Sequence, residues 1–179
     1  AACEYIRYGM VWKDFEDACN MFLSKTNKNI TLSFMVTANL LGATTFEQFL
    51  QWIIDLRVKY NESTTYNRVP MMVSYLRWPE HLAVSYLPEN LKKQYSMSWV
   101  NIATTNAIVG ESGRFYLEEV DQVKRLVDFM NSKPTTPEQT ADFYLFQSEY
   151  DRRRGTNVCK IFPDLVDHYN FGKQVAEGN

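Results

Sequence analysis

The sequence predicts an α/β fold, and two apolar segments separated by a helical pattern support that prediction. Residues 30–36, ITLSFMV, are apolar or small at almost every position and rich in strand formers. A run this short is too short for a buried helix, so it predicts a parallel strand covered on both faces. Residues 69–76, VPMMVSYL, have the same character. A strand, a helix and a strand in this order predict a right-handed βαβ unit on a parallel sheet.

The helix between the two strands is predicted from its start signal and its apolar face. Thr44-Thr45-Phe46-Glu47 has the form of a capping box, in which Thr44 accepts a bond from the Glu47 amide and Glu47 bonds back. Apolar residues then recur at helical spacing to about Arg57. They are Phe46, Phe49, Leu50, Ile53 and Ile54.

The remaining segments around this unit have weaker or shorter patterns. An apolar stripe predicts a helix over about 12–24. Residues 81–88 predict a strand or an extended segment before Pro88, and residues 96–109 show only a mixed pattern. A short final helix is predicted over 163–171.

Two long helices are predicted in the second half of the chain. The first extends over 111–131 on a continuous apolar stripe. The second runs from Pro137, in the first turn, to about Asp151, with Thr136 as its cap. Gly155 is expected to end it in the left-handed conformation.

Composition limits the classes of function. The chain has 179 residues, 45% of them hydrophobic, which is enough for a folded core. A net charge of −2 and the lack of a basic half argue against a nucleic-acid-binding domain. No apolar run approaches the roughly 18 residues of a membrane span, and the opening AACEYIRYG lacks the features of a signal peptide. Three widely spaced cysteines predict a reducing, cytoplasmic location.

No common catalytic or nucleotide-binding motif is present. The sequence contains neither CxxC nor CxxxCxxC, and neither GxxxxGK[ST] nor GxGxxG. His81 and His168 lie far apart in sequence, and no nucleophile or second ligand lies near either of them. Cys19 falls on the apolar stripe of its helix and is expected in the core, whereas Cys3 is expected in a loop before that helix.

The triplet Arg152-Arg153-Arg154 suggests either an anion site or the end of a helix. Cations suit the C-terminus of a helix, and we expect these side chains to pair with acids and to hold the last long helix against the first half of the chain, with Asp151 as a local partner. Phosphate binding is the alternative, but the charge of the whole chain does not favour it.

Polar side chains follow both predicted strands. Thr37 and Asn39 follow the first strand, and Arg77 and Trp78 follow the second. In parallel α/β proteins the chemistry lies at the carboxyl ends of the strands, so Thr37, Asn39 and Arg77 are candidate ligand-binding residues. The alternative is that Thr37 and Asn39 only cap the turn into the helix.

Four stretches, in this order, resemble radical S-adenosylmethionine (SAM) proteins. The helix after the fourth barrel strand of that family resembles residues 4–23, EYIRYGMVWKDFEDACNMFL. The family's fifth barrel strand and the helix after it resemble residues 29–57, NITLSFMVTANLLGATTFEQFLQWIIDLR. Its sixth strand and exit resemble residues 69–88, VPMMVSYLRWPEHLAVSYLP. The C-terminal "twitch" domain of one subgroup, a shortened SPASM domain, resembles the stretch from the long helix over 111–131 to the ending FYLFQSEYDRRRGTNVCKIFPDL, residues 143–165.

The resemblance implies the C-terminal half of such an enzyme. Residues 1–88 would be the C-terminal part of a partial (β/α)6 barrel, and residues 89–179 a mostly helical twitch-like extension. The family's CxxxCxxC loop, which holds the catalytic [4Fe–4S] cluster, is missing from this sequence. The parent would bind SAM and the cluster, while this chain alone is expected to bind neither.

The resemblance also implies roles for particular residues. Arg7 in the EYIR segment would lie near SAM, Thr37 and Asn39 would contact the ribose or the substrate, and Arg77 would touch adenine or the substrate. Some twitch domains hold an auxiliary iron–sulfur cluster on cysteines, but Cys159 alone is too few ligands, so none is predicted here.

Two functions follow as expectations. One is part of an enzyme that makes a 5′-deoxyadenosyl radical to modify a small molecule or a peptide. The other is a catalytically inactive scaffold or partner-binding module. Both expect a missing barrel half or a partner chain, and neither expects a nucleic acid or a membrane. Open strand edges and uncovered apolar faces predict that the chain alone aggregates or needs a partner.

Overall fold

The computed structural model describes residues 1–61, 66–109 and 111–178, where helices surround a two-stranded parallel sheet. The strands are β1 (Phe34–Ala38) and β2 (Met71–Tyr75). The helices, in chain order, are α1 (Ala2–Ile6), α2 (Trp12–Lys25), α3 (Leu40–Ala43), α4 (Phe46–Tyr60), α5 (Glu89–Thr105), α6 (Leu117–Met130), α7 (Pro137–Arg154), α8 (Val158–Ile161) and α9 (Val166–Glu177).

The predicted α/β class and βαβ unit are confirmed. β1 pairs with β2 in parallel, with Phe34 opposite Met71 and Ala38 opposite Tyr75, and α4 lies in the connection. The first strand begins four residues later than the predicted start at 30, because Ile30 belongs to a turn in which its N–H bonds to the Asn27 carbonyl.

The prediction that both strands are covered on both faces is wrong. Phe34, Ala38 and Met71 are buried on one face of the sheet. On the other face Met35 is 78% exposed and Met72 is 54% exposed, because no described element packs over them. The sheet therefore has one core face and one open face.

The helix after β1 begins differently from its prediction. Asn39 caps α3, and its Oδ1 accepts a hydrogen bond from Gly42 N at 2.9 Å. The capping box at Thr44 is wrong, because Thr44 and Thr45 donate their hydroxyls back to the carbonyls of Leu41 and Gly42 at the end of α3. The predicted apolar face of α4 is nevertheless confirmed, with Leu50 and Ile53 completely buried.

The other predicted helices form with shifted ends. α2 and α7 match their predictions, and Thr136 accepts from Gln139 N at 3.4 Å to cap α7. Gly155 ends α7 at φ 64°, in the left-handed region predicted for it. α6 starts at Leu117 rather than 111, and the final helix continues to Glu177.

Two segments differ from their predictions. Residues 81–88 contain two short 3-10 turns, Glu80–Leu82 and Val84–Tyr86, rather than a strand. Residues 89–105 form α5, whose buried apolar side chains are spaced four apart and pack between α4 and α6. They are Leu91, Tyr95, Trp99 and Ala103.

A single cluster of buried residues joins the two predicted regions, running from Tyr5 to Leu165. α4 packs on α5 across the predicted boundary at residue 88, and Tyr5 in α1 donates its hydroxyl to Gln147 and Asp151 in α7, each at 2.9 Å. In the part of the chain that the structure describes, no helix combines the length and apolar character needed to cross a membrane.

Candidate functional site

A cleft of about 690 Å³ follows the outer edge of β1. Successive strand residues point to opposite faces of a sheet, yet every residue from Leu32 to Asn39 lines the cleft. The cleft therefore lies beside the strand rather than over one face of it. Side chains from α1, α2 and α4 form its other walls.

Aromatic side chains form one wall of the cleft. The ring centroids of Trp12 and Trp52 lie 5.2 Å apart, and those of Phe34 and Trp52 lie 5.1 Å apart, both edge to face. Phe15 lies 6.3 Å from Phe34. Trp52 Nε1 donates to Glu16 Oε1 at 3.2 Å, which fixes the indole ring. This wall suits a flat or extended apolar group.

Three of the four predicted site residues line this cleft: Arg7, Thr37 and Asn39. α1 packs against α3, the helix that follows β1, so Arg7 lies towards the carboxyl end of the strand. The exposed guanidinium of Arg7 makes no hydrogen bond or ion pair with another residue in the described ranges. A cation without a partner beside an apolar cleft is suited to bind a carboxylate.

Thr37 and Asn39 have different local roles. Asn39 uses Oδ1 to cap α3, and its Nδ2 lies 3.5 Å from the Thr37 carbonyl oxygen. Asn39 therefore caps the turn into the helix and also lines the cleft. Thr37 caps nothing, and its Oγ1 lies 3.3 Å from Ser74 Oγ across the open face of the sheet.

Arg77 does not line the cleft. Its guanidinium lies over the Tyr75 ring at 5.2 Å from the centroid, and Nη2 donates to the Tyr75 hydroxyl at 3.4 Å. Trp78 beside it is 80% exposed. The structure therefore separates Arg77 from the other three predicted residues.

Two cysteines also line the cleft, Cys3 and Cys19. Burial raises the pKa of both thiols above the ordinary value, so both are protonated at neutral pH and are poor nucleophiles. Cys19 is in the core as predicted, but Cys3 lies in α1 rather than in a loop. The described residues include no group of three His, Cys, Asp or Glu that could hold a metal ion.

The aromatic wall is the part of the site that the sequence prediction missed. Trp12 and Phe15 lie on the apolar stripe that predicts α2, and such a stripe predicts packing rather than the wall of a cleft. Trp52 lies off the buried face formed by Leu50 and Ile53, and it follows Phe49 at helical spacing. A tryptophan beside a buried stripe, rather than on it, is the signal that indicated a second surface.

The arginine triplet ends α7 as predicted, and its members have different partners. Arg152 and Arg153 both pair with Glu149 at 2.6 Å, which lowers the pKa of that carboxyl to about 2. Arg154 lies over the Tyr8 ring and donates to the Tyr5 carbonyl at 3.4 Å. Of the three arginines, therefore, only Arg154 contacts the first half of the chain in the described ranges.

Asp151 is the more important tie between α7 and the rest of the chain. Its carboxylate accepts from the Tyr5 hydroxyl at 2.9 Å, from Thr156 Oγ1 at 2.6 Å and from Val158 N at 2.7 Å. These bonds join α1, the turn after α7 and the start of α8.

No protein-family model, curated protein or solved structure matches this chain.

Proposed function

We propose that the chain is the C-terminal part of a radical SAM enzyme, with residues 1–88 as barrel and 89–179 as a twitch-like extension. The observation that carries the proposal is the convergence of Arg7, Thr37 and Asn39 on one cleft beside a parallel strand. Ligands of parallel α/β proteins bind beyond the carboxyl ends of their strands.

The cleft suits the chemical groups of SAM. Arg7 would hold the carboxylate, because a guanidinium binds carboxylates with charge-assisted hydrogen bonds. The aromatic wall around Trp52 would contact the adenine ring, and the Thr37 hydroxyl would bond to the ribose. When bound beside a reduced cluster, which would donate one electron, SAM would supply radical chemistry that removes a hydrogen atom from a small-molecule or peptide substrate. The residues of this chain would bind and orient SAM and keep water away.

The open face of the sheet also supports the proposal. Met35 and Met72 project from it beside Thr37 and Ser74, and no described element covers them. A barrel encloses one face of its sheet, and that face is open when part of the barrel is removed. The described residues offer no ligand set for the [4Fe–4S] cluster, so its cysteines would come from the rest of the parent.

The experiment pairs this chain with a polypeptide that carries CxxxCxxC. The two are co-expressed, reconstituted with iron and sulfide without oxygen, and assayed for 5′-deoxyadenosine. Arg7→Ala is expected to lower the rate at least about tenfold through loss of a charge-assisted bond. Arg153→Ala, at an exposed arginine paired with Glu149, is the matched control and should keep the rate. A folded, cluster-containing pair that does not cleave SAM would reject the proposal.

A second function is a catalytically inactive, partner-binding module. The observation that favours it is the outer edge of β1, whose backbone lies open in the cleft. A module of this kind would bind the co-expressed polypeptide in a pull-down, and the reconstituted pair would not cleave SAM.

A further inference from the structure

The outer edge of β1 carries backbone groups that point away from β2. Phe34 N donates to the Pro70 carbonyl at 2.9 Å, and the Ala38 carbonyl accepts from Leu76 N at 2.8 Å. The direction of bonding alternates along a strand, so the N–H and C=O of Met35 and Thr37 point to the other side. That side is the cleft.

The opposite edge of the sheet, on β2, is closed by side chains of α6. Met71 N donates to Glu119 Oε1 at 2.9 Å, and Val73 N donates to Gln122 Oε1 at 2.6 Å. Buried Arg57 holds Glu119 in place with an Nη2–Oε1 distance of 2.6 Å. A further strand could not add to this edge without displacing α6.

β1 has no such closure in the described ranges. No hydrogen bond of the Met35 or Thr37 amide to another described residue is present, and only Asn39 Nδ2 approaches the Thr37 carbonyl, at 3.5 Å. Strand edges of this kind are templates for another strand. The sheet is therefore sealed on one edge and open on the other.

We propose that a polypeptide segment from outside these 179 residues adds to β1 as a third parallel strand and fills the cleft. Backbone bonds to Met35 and Thr37 fix its register. Every second side chain of the segment then points to the wall of Trp12, Phe15 and Trp52 and must be apolar.

The charge of the cleft determines a second property of the segment, which is the charge at its carboxyl end. Arg7 is the only charged side chain that the described residues place in the cleft lining, and it lies towards the carboxyl end of β1. A parallel segment brings its own carboxyl end there, so an acidic residue or terminal carboxylate at that end complements Arg7. A basic residue there would be repelled. This inference requires no SAM and holds for either candidate function.

The test uses synthetic peptides with the purified 179-residue chain, at concentrations where sedimentation shows a monomer. The panel comprises fluorescein-labelled hexapeptides of the pattern Val-Thr-Val-Ser-Ile-Asp, with Val, Ile, Phe or Tyr at the alternate apolar positions. Binding is followed by the fluorescence anisotropy of the labelled peptide. A dissociation constant of up to about 1 mM, the weak end of specific recognition, counts as binding. Replacing the final Asp by Lys should weaken binding about fivefold or more, because it opposes Arg7.

N-methylation of the peptide tests the strand geometry on the unaltered protein. Methyl groups on one alternate set of amides should abolish binding, because those amides donate to β1, while the other set should tolerate them. In the protein, Met35→Pro removes an outward N–H and should weaken binding about tenfold. Met35→Ala keeps that N–H and is the matched control. Circular dichroism checks the fold of both variants.

Three results would overturn the inference. The first is that no member of the panel binds. The second is that N-methylation at neighbouring amides has equal effects, and the third is that the chain forms a discrete dimer that Met35→Pro dissociates. The last result would make a second copy the occupant of the edge. Loss of SAM cleavage in the reconstituted pair with peptide binding intact would reject the enzyme proposal and leave this one standing.

Discussion

At the scale of single residues, Arg57 joins three parts of the core. It is completely buried and donates to the Val69 carbonyl at 2.9 and 2.8 Å, to the Arg114 carbonyl at 2.8 Å and to Glu119 Oε1 at 2.6 Å. Glu119 in turn accepts from Met71 N and from Tyr116 N, the residue before α6. One guanidinium and one carboxylate therefore connect α4, β2 and α6.

Removing one member of this pair is predicted to be costly. Arg57→Ala leaves the Glu119 carboxylate buried without its cation and should lower the free energy of unfolding by about 3–5 kcal/mol. Arg153→Ala breaks an exposed pair with Glu149 and should leave the free energy of unfolding almost unchanged. Urea unfolding of both variants measures the difference. Equal losses would show that the Arg57 pair is no more important than a surface pair.

His168 gives the chain a predicted response to pH. It is 6% exposed, its ring centroid lies 5.1 Å from that of Phe143, and its Nε2 has no partner in the described ranges. Burial lowers its pKa from 6.5 to about 4. As pH falls, His168 therefore binds a proton in the unfolded chain before it does so in the folded one. The contribution of His168 to folding stability is fully present above about pH 6.5 and is lost towards pH 4.

The size of this response follows from the shift in pKa. Stability should fall by up to about 3 kcal/mol across that range because of this group alone. His168→Leu should remove that part of the slope, even if it changes stability at pH 7. Chemical unfolding of both proteins at several pH values measures the difference in slope. Parallel curves for the two proteins would disprove the assignment to His168.

At the scale of elements, the sequence predicted segments whose burial has one clear period. The covered face of α4 is of this kind. Continuous apolar runs predict the two strands and their pairing, but not the open face that bears Met35 and Met72. α5 was missed because residues 96–109 mix polar and apolar side chains, although Leu91, Tyr95 and Trp99 recur every fourth residue. The capping box failed because a side chain five residues upstream of Thr44, Asn39, starts a helix first.

The candidate site was predictable in part for the same reason. Thr37 lies one residue before the end of β1 and Asn39 follows it directly, and the rule on strand ends identifies such residues from sequence. Arg77 obeys the same rule but turns back over Tyr75, a contact that strand order does not encode. The aromatic wall depends on how α2 packs against α4, which is tertiary information.

The packing of α7 against α9 depends on one glycine. A Cβ at Gly172 would overlap the Thr140 carbonyl oxygen and lie 3.0 Å from Tyr144 Cβ. Gly172→Ala is therefore predicted to separate the helices and lower the free energy of unfolding by about 1–3 kcal/mol. Gly42→Ala is the matched control, because its Cβ would meet the Asn39 side chain at an ordinary 3.5 Å. Thermal unfolding compares them, and similar melting temperatures would contradict the argument.

At the scale of the whole molecule, the two edges of the sheet differ from each other, and so do its two faces. α6 seals the β2 edge through Glu119 and Gln122, and one face carries the buried side chains of Phe34, Ala38 and Met71. The β1 edge and the face bearing Met35 and Met72 have no cover among the described residues. Both open surfaces meet at β1, so a single partner could cover them together.

This geometry predicts that the chain associates with itself when no partner is present. Met35→Glu with Met72→Glu places two carboxylates on the open face, and like charges on neighbouring strands oppose stacking of two such faces. Light scattering of the double variant should therefore be well below that of the unaltered chain at equal concentration. Met97→Glu, at a methionine 72% exposed on α5, is the control and should leave the scattering high. A drop of equal size in the control would mean that net charge, rather than the open sheet, sets the association.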